Sequence, residues 1–340
     1  MARVTILGAG DMGTALVTPL CHGQNEIRLW GTSRDDAVVS ALRSGLPHPR
    51  LGVPVPNQVR VYAAAEAGDA LTGAEIIVIA ITSDAVRSVL AEIKGYLGSP
   101  EAIVTVAKGF DRTPRGNVQL LPVTIAEFSS SPVVAVGGPS KANEVAHGLP
   151  ASVVFGSDHD RVAAECVNVF STQVYRVSTT NDIVGLEIAA AMKNAYAIAL
   201  GIPDGLEIKT GKPHHNLRAA LFPQAVREMS ALAEAFGGHA DTIQGLSGVG
   251  DLQVTITSGR NRLLGERIGF GEAAALAAAK FAAEGTTIEG YLAAEFGYQL
   301  YQDAQRAGLL DGTGLPLLDA LWEILHQDAP ACETLWAAAR

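Results

Sequence analysis

Apolar and polar positions change their rhythm once along this chain. In the first half, short β-branched runs recur between amphipathic stretches: VTILG (4–8), EIRLWG (26–31), EIIVIAI (75–81), AIVTVAKG (102–109), PVVAVGG (132–138) and ASVVFG (151–156). Runs that are apolar at nearly every position read as strands buried on both faces, and helical spacers between them predict a parallel sheet covered on both sides. From about Asp182 the texture shifts to long alanine- and leucine-rich segments such as GEAAALAAAKFAAEG (271–285). That half reads as helical. The boundary falls near VSTTND (177–182), where Thr180 or Asn181 can cap the next helix. The pattern predicts an α/β domain over residues 1–181 and a helical domain over 182–340, with the proline-rich LPHPRLGVPVP (46–56) as an excursion inside the first.

Composition narrows the class. The chain has 340 residues, 48% hydrophobic and 18% charged, which suits a folded protein with room for two domains. Unbroken apolar runs such as IIVIAI (76–81) are too short to cross a bilayer, and no charged segment precedes a removable apolar one at the N-terminus. Cys21, Cys166 and Cys332 show neither metal nor redox spacing, which fits a reducing interior. A net charge of −10 argues against a nucleic-acid partner. It leaves room for a small anionic substrate, because a few fixed cations can dominate a pocket. The expectation is a cytoplasmic protein with no membrane span.

Gly8-Ala9-Gly10-Asp11-Met12-Gly13 follows the first strand and opens a helix, the setting a dinucleotide turn requires. The first glycine permits the tight turn, the second lets the backbone approach a diphosphate, and the third allows close helix–strand packing. The end of the second strand selects the nicotinamide nucleotide. There the chain reads Trp30-Gly31-Thr32-Ser33-Arg34, with the first acid at Asp35. Two hydroxyls and a guanidinium suit a 2′-phosphate, which favours NADP over NAD. The alternative leaves Arg34 as a solvated loop residue.

EIAAAMKNAYAIAL (187–200) carries one lysine, Lys193, on a helix-forming run with no acid on its helical face. Either the amine snorkels to water or it serves chemistry. Three further pieces bear on that choice: VAKGF (106–110), GGPSKANEVAHGLPASVVFGS (137–157) and GLSGVGDLQVTITSGRNRLLGE (245–266). With GAGDMG and AAAMKNAYAIALG, in this order over essentially the whole chain, the sequence closely resembles the NAD(P)-dependent glycerol-3-phosphate dehydrogenases.

The resemblance implies a Rossmann domain followed by an all-helical domain like the C-terminal part of 6-phosphogluconate dehydrogenase. It implies hydride transfer between glycerol 3-phosphate and dihydroxyacetone phosphate, a place in glycerophospholipid metabolism, and a homodimer. By the same resemblance Lys193 is the general acid/base, with Asn194 beside it and Asp251 and Thr255 from the G-D-L-x-x-T region. Lys108, Gly138 and Ser140 are implied at the substrate, and Arg260 and Asn261 at its phosphate. Lys108, Ala142, Arg260 and Glu289 are also implied at the nucleotide.

These assignments suit the chemistry. A secondary alcohol losing hydride needs a base for its proton, and a lysine in an alanine-rich wall can act if desolvation pulls its pKa down. Helical i,i+4 spacing puts Asp251 and Thr255 on one face, where the carboxylate can orient the Lys193 amine; the alternative for Asp251 is an N-cap. No metal site is expected. The run NLRAALFPQAVREM (216–229) departs from the family, which usually has Thr-Arg-Gly where Pro223, Gln224 and Ala225 stand. That departure, with His214 and His215 before it, leaves a second reading open: the same reaction on another small polyol phosphate. A nucleotide-binding sensor without turnover is the reading from another class.

Overall fold

The computed structural model describes residues 1–310, 312 and 314–339. The chain forms two compact units: Met1–Arg115 with Gln119–Ile183, and Gly116–Val118 with the chain from Val184 onward.

The strands are β1 (Arg3–Leu7), β2 (Glu26–Trp30), β3 (Arg60–Tyr62), β4 (Ile76–Ile79), β5 (Ala102–Thr105), β6 (Phe110–Arg112), β7 (Val118–Leu120), β8 (Val133–Gly137), β9 (Ala151–Gly156) and β10 (Tyr175–Thr180). Eight of them form one sheet in the order β10-β9-β8-β5-β4-β1-β2-β3, and β6 pairs with β7 in a separate ribbon. From β3 to β8 every pairing is parallel, so this part is a doubly wound sheet. Alternation sorts its side chains. Val4, Ile6, Val78 and Val104 enter one core with Leu16, Leu20 and Phe170, whereas Leu7, Ile77, Ile79 and Ile103 enter another with Leu90, Ile93 and Ile125. Burial on both faces explains the uninterrupted apolar runs.

The sheet is not wholly parallel. β9 runs antiparallel to β8, with Val136 opposite Phe155, and β10 then runs parallel to β9. Between β8 and β9 the chain forms only the short helix Ala142–Ala146, too little for a full crossover. It turns back instead. β3 and β10 were not legible as strands because they are edge strands, half solvated and rich in polar residues.

Among the described residues from Val184 onward there is no strand. The axis of the second unit is the helix Ile183–Thr210, which is long and apolar enough to cross a bilayer, yet 94% of its most apolar window is buried within the protein. At its start the Thr180 hydroxyl accepts the backbone N–H of Asp182, just ahead of the first turn.

A glycine seam fixes what lies beside this axis. A Cβ at Gly265 would stand 2.0 Å from the Ile198 carbonyl oxygen, and one at Gly269 2.1 Å from that of Ile202. On the axis helix, a Cβ at Gly205 would meet the Glu266 oxygen at 1.9 Å and one at Gly201 the Arg262 oxygen at 2.2 Å. Interleaved glycines at four-residue spacing thus hold Ile183–Thr210 against the helix Arg260–Phe270. At the far side, the buried Glu228 carboxylate accepts from Gln224 Nε2, Tyr196 Oη and the backbone N–H groups of Leu317 and Leu318. It thereby satisfies the open first turn of Pro316–His326.

Candidate functional site

The first unit gathers one set of groups at the C-terminal ends of its parallel strands. Gly8 has φ +107°, and a Cβ there would stand 2.6 Å from the Ala80 carbonyl oxygen after β4. A Cβ at Gly13 would stand 1.9 Å from the Gly8 oxygen. At Gly10 it would meet nothing within 4 Å. The first and third glycines are therefore demanded by the protein's own packing, while the second faces space that a ligand can enter. The helix Asp11–His22 starts there with no side-chain cap, leaving its first N–H groups to an anion. Met12 packs on the core below.

Asp35 is the residue that sequence reasoning passed over. Its Oδ2 accepts from the backbone N–H of Ala9 (3.3 Å), the backbone N–H of Thr32 (2.8 Å) and the Thr32 hydroxyl (2.9 Å). The acid thus ties the end of β2 to the glycine turn, and the Thr32 hydroxyl proton is committed to it. Ser33 and Arg34 remain exposed. The signal was present as an acid a few residues beyond the strand.

Further along the same sheet edge, Lys108 Nζ donates to the Gly138 carbonyl at 3.1 Å, joining the loops after β5 and β8. Gly138 has φ +105°, which favours glycine. Ser140 lies near the Tyr175 phenol, whose pKa burial holds well above the usual range. Ala142 opens the short helix that follows.

The second unit gathers the other set. Lys193 is 7% exposed and Asp251 1%. Lys193 Nζ donates to Asp251 Oδ1 at 2.7 Å and to Thr255 Oγ1 at 2.9 Å, and the Thr255 hydroxyl in turn donates to the Asp251 carbonyl at 2.6 Å. The missing acid for Lys193 therefore comes from a different helix, Asp251–Ser258, and not from its own. Gly250, not Asp251, stands at the N-cap position of that helix. Asp251 follows directly on the π-helical turn Leu246–Gly250, a local distortion that sets its direction. A buried ammonium alone is costly, and this pairing offsets the cost.

An amide ladder runs alongside. Asn261 Nδ2 donates to Asn194 Oδ1 at 2.9 Å, the Gly290 backbone N–H donates to Asn261 Oδ1 at 2.9 Å, and Asn194 Nδ2 reaches Glu289 Oε2 at 3.4 Å. Asn261 is thus largely committed inside the protein. Gly259 precedes it because a Cβ there would stand 2.3 Å from the Thr255 oxygen, so the glycine serves a tight helix-to-helix turn. Arg260 is exposed at the uncapped first turn of Arg260–Phe270. Arg262, two residues on, is held instead by Asp204 and Glu266.

The family departure at 222–225 sits elsewhere in this unit. Pro223 lies inside the helix His215–Ala235 without ending it, and Phe222 and Pro223 line a surface groove of about 430 Å³. Gln224 faces inward to Glu228. His215 is exposed, and His214 Nδ1 lies 2.9 Å from the Lys212 carbonyl. Among the described residues, no three His, Cys, Asp or Glu side chains are grouped to hold a metal ion.

Both halves of the chain match family models. Residues 3–163 match the family model of the NAD-dependent glycerol-3-phosphate dehydrogenase N-terminus, and residues 182–335 that of its C-terminus. A relative from Archaeoglobus fulgidus, named NADP(+)-dependent glycerol-3-phosphate dehydrogenase, is 34% identical over 99% of this chain and 98% of its own length. One from Myxococcus xanthus, named glycerol-3-phosphate dehydrogenase [NAD(P)+], is 34% identical over 97% and 94%. The crystal structure of glycerol-3-phosphate dehydrogenase from Coxiella burnetii superposes with a TM-score of 0.82 at 30% identity, covering 99% of this chain and 98% of that one. With a glycine turn in one unit, a buried Lys193–Asp251 pair in the other and both halves matched, the chain belongs to the NAD-dependent glycerol-3-phosphate dehydrogenase family and is an NAD(P)-dependent oxidoreductase.

Proposed function

We propose that this enzyme interconverts glycerol 3-phosphate and dihydroxyacetone phosphate, with residues 1–181 holding the nucleotide and residues 182–340 the substrate. The observation that carries the reading is the buried Lys193–Asp251–Thr255 set. A bound nicotinamide supplies the hydride acceptor or donor. Lys193 moves the proton of the reacting oxygen, and Asp251 and Thr255 hold its amine in one direction. Asn194 keeps the amide ladder in register beside it. Arg260 and the free N–H groups of its helix N-terminus hold the substrate phosphate, with Asn261 positioning that turn. Lys108, Gly138 and Ser140 line the substrate side of the first unit, and Lys108, Ala142 and Glu289 also serve the nucleotide.

The glycine turn fits a dinucleotide, since Gly8 and Gly13 are required by packing and only Gly10 faces open space. We favour NADP. Asp35 is turned inward onto Ala9 and Thr32, and Ser33 and Arg34 stay exposed for a 2′-phosphate. The name of the Archaeoglobus relative supports the same choice. A cytoplasmic homodimer completes the reading, on the resemblance to the family.

A panel of polyol phosphates offered with NADP and NAD, followed by nicotinamide absorbance, tests the proposal. Glycerol 3-phosphate is expected to give the highest kcat/KM. A larger value for another polyol phosphate would shift the substrate and leave the reaction class. Absence of turnover on every member, with nucleotide still bound, would overturn the enzymatic assignment.

A further inference from the structure

The proline-rich excursion carries a cluster that the reaction chemistry does not use. His48 is fully buried, and its Nδ1 accepts the backbone N–H groups of Arg50 and Leu51, each at 3.2 Å. With Nδ1 accepting, the proton of the neutral ring sits on Nε2. Burial lowers the ring's pKa, against the opposing pull of the Asp11 carboxylate and the Ala9 carbonyl, so the neutral form prevails near neutral pH. Nε2 lies 3.9 Å from Asp11 Oδ1 and closes no full hydrogen bond. The His48 N–H donates to the Val53 carbonyl at 2.8 Å and the Gly52 N–H to the His48 carbonyl at 2.9 Å. The turn is therefore built, and it is pinned against the glycine turn.

What this turn presents is Arg50. Its Nε donates to Asp11 Oδ1 at 2.8 Å, the side chain is 63% exposed, and among the described residues its two terminal nitrogens have no protein partner. Asp11 is the first residue of its helix, one peptide beyond the open face of Gly10. A carboxylate at that point repels a diphosphate that the helix N-terminus would otherwise attract. Arg50 cancels the charge and keeps donors in reserve.

We propose that Arg50 is a diphosphate-binding residue, tethered to Asp11 through Nε and donating from its terminal nitrogens to the diphosphate of the nicotinamide nucleotide. The proposal rests on the dinucleotide reading of this unit and adds a residue to it. The diphosphate is common to NAD and NADP, so Arg50 acts on both alike, unlike a residue at the 2′-phosphate.

The test titrates the full-length protein with NADH and with NADPH, following nicotinamide fluorescence. Arg50→Ala is expected to raise both Kd values by about 10-fold, the loss of one charge-assisted contact at a solvated site. The same factor is expected in an Asp11→Asn background, and Arg50→Gln should reproduce it. Unchanged affinities would overturn the proposal. So would a loss confined to NADPH, which moves Arg50 to the 2′-phosphate. A loss that vanishes in Asp11→Asn would leave Arg50 as a counter-ion only. Turnover plays no part in this readout, so a failure of the substrate assignment would leave it standing.

Discussion

Lys193 and Asp251 form a charged pair that almost no water reaches, and this makes a strong prediction. At 2.7 Å and an effective permittivity of about 20, their attraction is about 6 kcal/mol. Desolvation of both groups offsets much of it. Removing one partner leaves the other charge buried and alone. Lys193→Met and Asp251→Asn are each expected to cost about 3 kcal/mol of stability. The double variant removes both charges, so its cost should stay near about 3 kcal/mol and not reach the sum of about 6, a coupling of about 3 kcal/mol. Urea unfolding of the four proteins, followed by far-UV circular dichroism, measures the cycle. Turnover provides an independent reading: all three variants should lose about 10²- to 10⁴-fold in kcat, the double included. The double variant is then the informative one, about as stable as either single but inactive. Additivity within about 0.5 kcal/mol would refute a buried pair, and retained turnover in Lys193→Met would refute the acid–base role.

The glycines of the two units should respond in opposite ways. Gly10→Ala meets no neighbour within 4 Å, so its unfolding midpoint should match the wild type while the Kd for NADPH rises by about 10-fold or more. Gly265→Ala drives a Cβ to 2.0 Å from the Ile198 oxygen and should cost about 1–3 kcal/mol, with a raised KM as the Asn194–Asn261 bond is pulled apart. A normal KM and midpoint in Gly265→Ala would count against the glycine seam. Arg34→Ala should raise the KM for NADPH far more than that for NADH; equal changes would remove Arg34 from the 2′-phosphate. Glu127, bonded to Arg87 and Gln119, has its carboxyl pKa lowered to about 2. Its contribution is complete above the unfolded carboxyl value of about 4.3 and fades as pH falls towards 2. The gap in urea midpoint between wild type and Glu127→Gln should therefore narrow from pH 6 to pH 3, and a constant gap would refute the assignment.

Local pattern carried the nucleotide half of this protein a long way. Strands buried on both faces must be apolar at successive positions, so the central strands were legible as uninterrupted runs. Gly8, Gly10 and Gly13 were legible because a tight turn, a backbone approach and a close packing each demand glycine at a set spacing. Edge strands β3 and β10 escaped, since solvent on one side removes the pattern. So did the reversal at β9, because strand direction depends on how much chain is available for a crossover and not on the composition of the strand.

The chemistry of the second half was legible as motifs and not as contacts. The sequence placed Lys193 on an apolar helix and Asp251 one turn before Thr255, but an ammonium's partner 58 residues away lies beyond any helical periodicity. Only the packing of Asp251–Ser258 against Ile183–Thr210 brings them to hydrogen-bonding distance. The paired glycines at 201/205 and 265/269 gain their meaning only from which helix lies opposite. By itself, then, the sequence determined the central strands, the helical second half, where the dinucleotide turn lies and which residue types the reaction needs, because these follow from neighbours a few positions apart. Tertiary structure alone decided that Asp251 pairs with Lys193, that Asp35 turns in to the glycine loop and that Asn261 locks to Asn194. Each of those depends on backbones meeting across long stretches of chain, where hydrogen-bond geometry and excluded volume, not periodicity, select the partner.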